Sequence, residues 1–319
     1  MSASSTNRQI HLMRRPRGEP VADDFALVHS VVPVPGRGEL LVRNRYISLD
    51  PAMRGWMREQ RSYVEPVALG GVMRAGAAAE VIESRHPDFN PGDFVTGLFG
   101  VQEIAVTGVQ GVTRVDPHRA PLTHWLNALG MPGMTAYFGL LDVGQPQAGQ
   151  TVVVSAAAGA VGPTVGQIAR IKGCRAVGIA GGADKCRMVV EEYGFDACVD
   201  YKAADFRAQL KAACPNGIDV YFDNVGGEVL DLVITQLASK ARVVLCGAIS
   251  QYNRTGAAAG PANYLALILY RARMEGMVVF DYAARFSEGV ADIATWMAEG
   301  KLKSKEQVID GIENYCDAL

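Results

Sequence analysis

The chain has 319 residues, 49% of them hydrophobic and 20% charged, with a formal net charge of −2. That length suits about two domains, and the composition is that of an ordinary globular protein with a sizeable core. Acids and bases are mixed along the chain, which argues against a nucleic-acid surface, and no apolar run reaches the roughly 18 residues that a membrane helix needs.

The start, MSASSTNRQIHLMRRPRG, is basic but lacks a long apolar stretch, so it reads as a short loose tail running into a first strand. The six cysteines, Cys174, Cys186, Cys198, Cys214, Cys246 and Cys316, form no CxxC pair. They are expected to be buried free thiols in a reducing compartment, which makes the cytoplasm the default location. Up to about residue 125 the chain reads as short strands broken by glycine and proline. Examples are Glu39–Ile47, 78–83, and 94–98 after the turn Asn90-Pro91-Gly92-Asp93. This pattern predicts a β-rich, partly open, barrel-like module.

Residues 122–141 look helical, interrupted by Met131-Pro132-Gly133. Strand and helix signals then alternate: Thr151–Ser155, 161–172, 174–180, 185–193, Ala197–Asp200, Ile218–Asp223, 229–237 and 242–246. Parallel strands need crossover helices, so this spacing predicts an α/β, doubly wound parallel sheet. A last strand is expected at 277–280, with an amphipathic helix near 289–299.

The most informative stretch is TVVVSAAAGAVGPTVGQIAR, residues 151–170. An apolar strand ends at Ser155, a turn of small residues follows, and a helix begins near Val161. Gly159 and Gly162 take the second and third glycine places of GxGxxG, with Ala157 in the first. Gly159 lets backbone approach a pyrophosphate, Gly162 lets the helix pack close to the strand, and the helix start offers free N–H donors. Tight strand-to-helix turns without a ligand use the same residues. About twenty residues on, where NAD sites place an acid for the ribose 2′-OH, the chain has Ala180, Gly181 and Gly182. Asp184 is followed by Lys185, which suits a 2′-phosphate, and Tyr201 could donate its hydroxyl to the same group. Each of the two also fits a plain surface or packing role. The missing acid tips the balance to NADP.

The chain resembles the zinc-independent medium-chain dehydrogenase/reductases, and within them the prostaglandin reductase, alkenal double-bond reductase and curcumin reductase group. The matching strings include RQIHLMRRPRGEP, SLDPAMRGWM, VIESRHPDFNPGDFV, MPGMTAYFGLL, SAAAGAVG, VDYK, YFDNVGGE, CGAISQYN and RARMEG, spread over nearly the whole chain. The resemblance implies a GroES-like substrate domain over 1–125, completed by about 281–319, and an NADP-binding Rossmann domain over 126–280. It implies that Gly159, Ala160, Val161 and Gly162 hold the pyrophosphate and that Lys185 and Tyr201 take the 2′-phosphate. It also implies that Met134 and Thr135 face the cofactor, and that Asn224, Cys246, Gly247, Ala248, Ile249, Ser250, Tyr252, Met277, Val278 and Val279 wrap its ribose and nicotinamide. The chain departs from the family at Ala52, Val101 and Ile104, where aromatics are common, which is expected to reshape the substrate cleft. It also stops at Leu319, where the family continues with a further strand. That is expected to leave a sheet edge or apolar surface uncovered.

No histidine is followed by glutamate and no cysteines cluster, so no metal site is expected. The chemistry then rests on NADPH. The resemblance implies hydride transfer to the β-carbon of an α,β-unsaturated ketone or aldehyde. The oxygen that becomes an enolate needs a donor, for which Tyr252 is the first candidate and Tyr270 and Tyr46 follow. A Tyr252 that only packs on the cofactor fits the sequence equally well. Two alternatives stand beside enone reduction: NADPH:quinone reduction on the same fold, and a non-catalytic NADPH-binding protein. A homodimer is compatible with such folds, although no sequence period marks it.

Overall fold

The computed structural model describes residues 6–60, 62–256 and 260–319. The loose tail expected at the start falls on residues 1–5, outside the described residues. The chain divides into two compact units: residues up to Leu126 together with Glu306–Leu319, and Asn127–Lys305.

The first unit is antiparallel. Strands β1 (Thr6–Leu12), β2 (Phe25–Val31) and β4 (Gly71–Val72) form a sheet in the order β2-β1-β4. Strands β3 (Glu39–Ile47), β5 (Ala77–Ser84), β6 (Phe94–Gly97), β7 (Ile104–Gly108) and β8 (Thr113–Val115) form an open one, β7-β3-β5-β6-β8. Period-2 burial explains β1, whose Ile10 and Leu12 point into a core with Met53, Trp56, Met57 and Met73. Leu40 and Val42 of β3 pack with Val81 and Val95 in a second cluster. Asn7 stitches the two sheets. Its buried amide donates to the Ile104 carbonyl at 2.7 Å and accepts the Ile104 N–H at 2.9 Å. Val101 and Ile104 are buried, and Ala52 packs against the Met53 cluster. The short helix α1 (Met53–Trp56) and a last helical turn, Tyr315–Ala318, complete it.

The second unit carries six parallel strands: β9 (Thr151–Ser155), β10 (Arg175–Ala180), β11 (Ala197–Asp200), β12 (Ile218–Asp223), β13 (Leu237–Leu245) and β14 (Arg273–Gly276). Their order is β11-β10-β9-β12-β13-β14, the Rossmann arrangement expected from the alternating pattern. Helices α2 (Met131–Phe138), α3 (Gly162–Ile171), α4 (Ala183–Glu191), α5 (Phe206–Ala213), α6 (Gly227–Val233), α7 (Ile249–Tyr252), α8 (Ala266–Tyr270) and α9 (Phe286–Ala298) accompany them. Strand β9 is buried throughout, as a central parallel strand covered on both faces must be. A side-chain carbon on Gly166 would fall inside the Phe195 ring, so α3 lies close on the sheet only because that residue is glycine.

Three local expectations are corrected. The stretch 122–130 is a series of turns, and the helix starts at Met131 with a proline in its first turn, where no N–H is missed. The last strand is Arg273–Gly276, not 277–280, because its ladder with β13 pairs Arg242 with Arg273 and Leu245 with Gly276. The chain returns to the first unit at Glu306, not near 281, because α9 stays packed on α2. There Gly289 abuts Met134 and the Tyr137 hydroxyl donates to Asp292 at 2.7 Å.

Candidate functional site

In the second unit the chain runs from β9 outward through β10 to β11, then resumes at β12 on the other side of β9. The strand order therefore reverses between β9 and β12. Open parallel sheets bind ligands in the crevice beyond the carboxyl ends of their strands at such a switch point.

The turn after β9 is built for close approach. Ala156 adopts a left-handed conformation (φ 51°), its carbonyl accepts the Gly159 N–H at 2.9 Å, and the Ala157 N–H donates to Ile179 at 3.0 Å. Gly159 and Ala160 are exposed, Val161 precedes the helix, and α3 opens at Gly162. A side-chain carbon on Gly162 would stand 2.7 Å from the Cα of Ala157, so only glycine fits. No side chain larger than a methyl occupies 156–160, and the first N–H groups of a ten-residue helix lie just beyond. This cradle fits a pyrophosphate.

Lys185 lies in the first turn of α4, exposed and without an ion pair among the described residues, while Asp184 beside it pairs with Arg187 at 3.3 Å. Tyr201 follows β11, and its ring lies against Gly181, where an added carbon would meet it at 2.9 Å. Asp200, the acid that closes β11, is turned back on the backbone. It accepts the Gly182 and Lys202 N–H groups, each at 2.9 Å, and these bonds hold its carboxyl below the usual range. Among the described residues, the chain just beyond β10 and β11 thus presents a cation without an ion pair, a phenol and no free carboxylate.

On the other side of the switch, Asn224 donates its side-chain N–H to the Ser155 carbonyl at 2.8 Å and its backbone N–H to the Ser155 hydroxyl at 2.9 Å. The loop from Cys246 folds over the 223–227 turn: Ile249 N–H bonds Asn224, and the Ser250 hydroxyl donates to Val225 at 2.6 Å. Gly247 and Ala248 lie beside Tyr252, whose hydroxyl accepts the Ala248 N–H at 3.3 Å. Burial first, and Asp223 second, push the Cys246 thiol up to about 12, so it stays protonated at neutral pH.

The other expected site residues make local contacts of their own. Tyr270 donates to the Thr235 carbonyl at 2.9 Å, which places its hydroxyl at the amino end of β13, away from the switch-point edge. Tyr46 lies half-exposed in β3 of the first unit, opposite Ala78, beside a register shift. Met134 turns its sulfur toward Gly289, and the Thr135 hydroxyl donates to Met131 at 2.7 Å within α2. Met277 carries the β13 ladder one bond further, donating to Leu245 at 3.1 Å. Val278 and Val279 then leave the sheet into a helical turn.

Three residues at this edge were not picked out from the sequence: Ser155, Tyr221 and Asp223, all fully buried. The available signal was an acid closing an apolar strand, since a buried carboxylate must find donors.

Comparison with known proteins places the chain among oxidoreductases. The family described as "N-terminal domain of oxidoreductase" matches residues 8–115, and that described as "Zinc-binding dehydrogenase" matches 160–295. No group of three or more His, Cys, Asp or Glu able to hold a metal occurs among the described residues. The NADPH-dependent curcumin reductase of Escherichia coli is 46% identical over 97% of this chain and 91% of its own length. The NADP-dependent 2-alkenal reductase of Nicotiana tabacum is 39% identical over 100% and 94%. The structure of CurA from Vibrio vulnificus in complex with NADPH superposes with a TM-score of 0.93 at 46% identity, covering 98% of this chain and 94% of that one.

Proposed function

This chain belongs to the medium-chain dehydrogenase/reductase family, in the group of curcumin, alkenal and prostaglandin reductases, and from that premise we propose that it reduces the C=C bond of α,β-unsaturated ketones and aldehydes with NADPH. The observation that carries the cofactor choice is local. Lys185, in the first turn of α4, has no ion pair among the described residues, and the neighbouring acids Asp184 and Asp200 are engaged by Arg187 and by backbone amides.

Each residue has a defined task in this reading. The 156–162 turn and the start of α3 hold the diphosphate. Lys185 and Tyr201 take the 2′-phosphate, and Asn224 with the 246–252 loop encloses the ribose and nicotinamide. Bound NADPH supplies the hydride that reaches the substrate β-carbon. Tyr252 donates its hydroxyl hydrogen toward the substrate carbonyl oxygen as negative charge gathers there, and the Ala248 N–H holds the phenol oxygen in place. Protonation of the α-carbon, by water or a nearby acid, completes the reduction. Binding of both substrates is to soluble small molecules, and no described helix is long and apolar enough to cross a membrane. A cytosolic location belongs to the same reading, supported by six cysteines that all stand as thiols, although only Cys174 and Cys214 are buried and the other four are partly exposed.

The deciding experiment follows NADPH oxidation against alkenals, enones and quinones with product analysis. Saturated carbonyl products from the first two classes are expected. Turnover of quinones alone, or tight NADPH binding with no turnover of any of them, overturns the reading.

A further inference from the structure

We infer that Asp223 is a positioning residue for the nucleotide site, tying the three loops beyond β9, β12 and β13 into one body. The inference rests on reading this edge as the NADPH site.

Asp223 ends β12 at the switch point and is fully buried. Its Oδ1 accepts the Ser155 hydroxyl at 2.9 Å, the Tyr221 hydroxyl at 2.7 Å and the Val225 N–H at 3.0 Å. The Gly226 N–H lies 3.1 Å from Oδ1 and 3.0 Å from Oδ2. Its backbone carbonyl accepts the N–H groups of Cys246 at 2.9 Å and Gly247 at 3.1 Å. One residue therefore holds the last residue of β9, the 223–227 turn, and the root of the loop that carries Tyr252. Ser155 passes the restraint on, because its own oxygens accept both the backbone and the side chain of Asn224.

The side-chain partners are hydroxyls and backbone amides, and none of its hydrogen-bonding partners among the described residues is a cation. A buried carboxylate held only by neutral dipoles is costly to keep for stability alone, since an apolar replacement of similar size packs as well. What an apolar residue cannot do is accept hydrogen bonds from several loops at once and set their mutual geometry. A ligand that touches all three loops then meets a preformed site and loses less free energy in ordering it.

The test is a titration of NADPH by calorimetry, well below the melting temperature, on wild type, Asp223→Asn, Ser155→Ala and the double variant. Asparagine keeps the shape but sets an N–H₂ against several donors, so Asp223→Asn is expected to weaken NADPH about tenfold or more. Ser155→Ala loses part of the same restraint. The double variant is expected to lie within about threefold of Asp223→Asn alone, because coupled groups are not additive. Losses that multiply in the double variant, or a folded Asp223→Asn that binds like wild type, overturn the inference. Should Asp223→Asn not fold, Tyr221→Phe and Ser155→Ala each remove a single donor. Unchanged NADPH affinity in both overturns it as well, while weaker binding in both upholds it. Wild type that fails to bind NADPH in the same titration refutes the site assignment instead.

Discussion

A side-chain carbon on Gly162 would overlap the carbonyl oxygen of Ala156, because the left-handed turn at Ala156 brings that oxygen across the start of α3. The neighbour is backbone and cannot swing aside. Gly162→Ala is expected to cost about 1–3 kcal/mol of stability as an overpacked site, and to weaken NADPH about tenfold or more by pushing the turn away from the helix start. Chemical denaturation and cofactor titration check the two effects. A variant with wild-type affinity would show that the close strand–helix approach is unnecessary for binding.

Lys185→Ala removes the cation in the first turn of α4. Charge-assisted hydrogen bonds contribute about 1.5–3 kcal/mol, so NADPH should weaken roughly ten- to a hundredfold and NADH should be spared. Parallel titrations with the two cofactors measure this. Equal losses for both would remove Lys185 from the 2′-phosphate site.

Tyr252→Phe keeps the ring over the 246–252 loop and deletes the donor. A positioned proton donor contributes about 10²–10⁴-fold, and a drop in kcat/KM with an enone of about a hundredfold is expected, with NADPH affinity little changed. Steady-state kinetics decide the matter. Unaltered kcat/KM would leave Tyr252 a packing residue.

Asp50 in the first unit is only 7% exposed, and its Oδ2 has no hydrogen-bond partner among the described residues. Burial raises its carboxyl above the ordinary value of 3.8, with the Ser48 hydroxyl pulling it back in part. An acid raised on folding leaves stability intact below its unfolded pKa, and that stability is lost as pH rises through the folded value. Asp50→Asn should therefore raise the melting temperature at neutral pH and change it little near pH 3.8, below which both states of Asp50 are protonated. A melting temperature lowered at neutral pH but not in acid would show instead that the ionised carboxylate stabilises the fold.

Much of the second unit was readable because its information is local. The run Val152–Val153–Val154, the small residues after Ser155 and the apolar face of α3 specify strand, turn and helix within twenty residues. Cofactor preference was equally local, since it rests on which residue types stand one strand later. By contrast, 277–280 reads as a strand because it is apolar, yet the edge ladder forms on the more exposed 273–276, where pairing with β13 sets the register. Helix α5 (Phe206–Ala213) buries only Phe206 and Leu210, so it carries little apolar periodicity for a sequence reading to use.

The amino-acid sequence by itself determined the strand–turn–helix cradle, the absence of a ribose-binding acid after β10 and the family to which the chain belongs. Tertiary structure alone decided that Asp223 meets Ser155 across 68 residues, that Asp200 spends its charge on backbone amides, and that the Tyr270 hydroxyl faces Thr235 rather than the switch-point edge. The reason is physical. Periodicity and turn chemistry act over a few residues, whereas the partner of a buried polar group depends on strand order and register, which emerge only when distant segments pack.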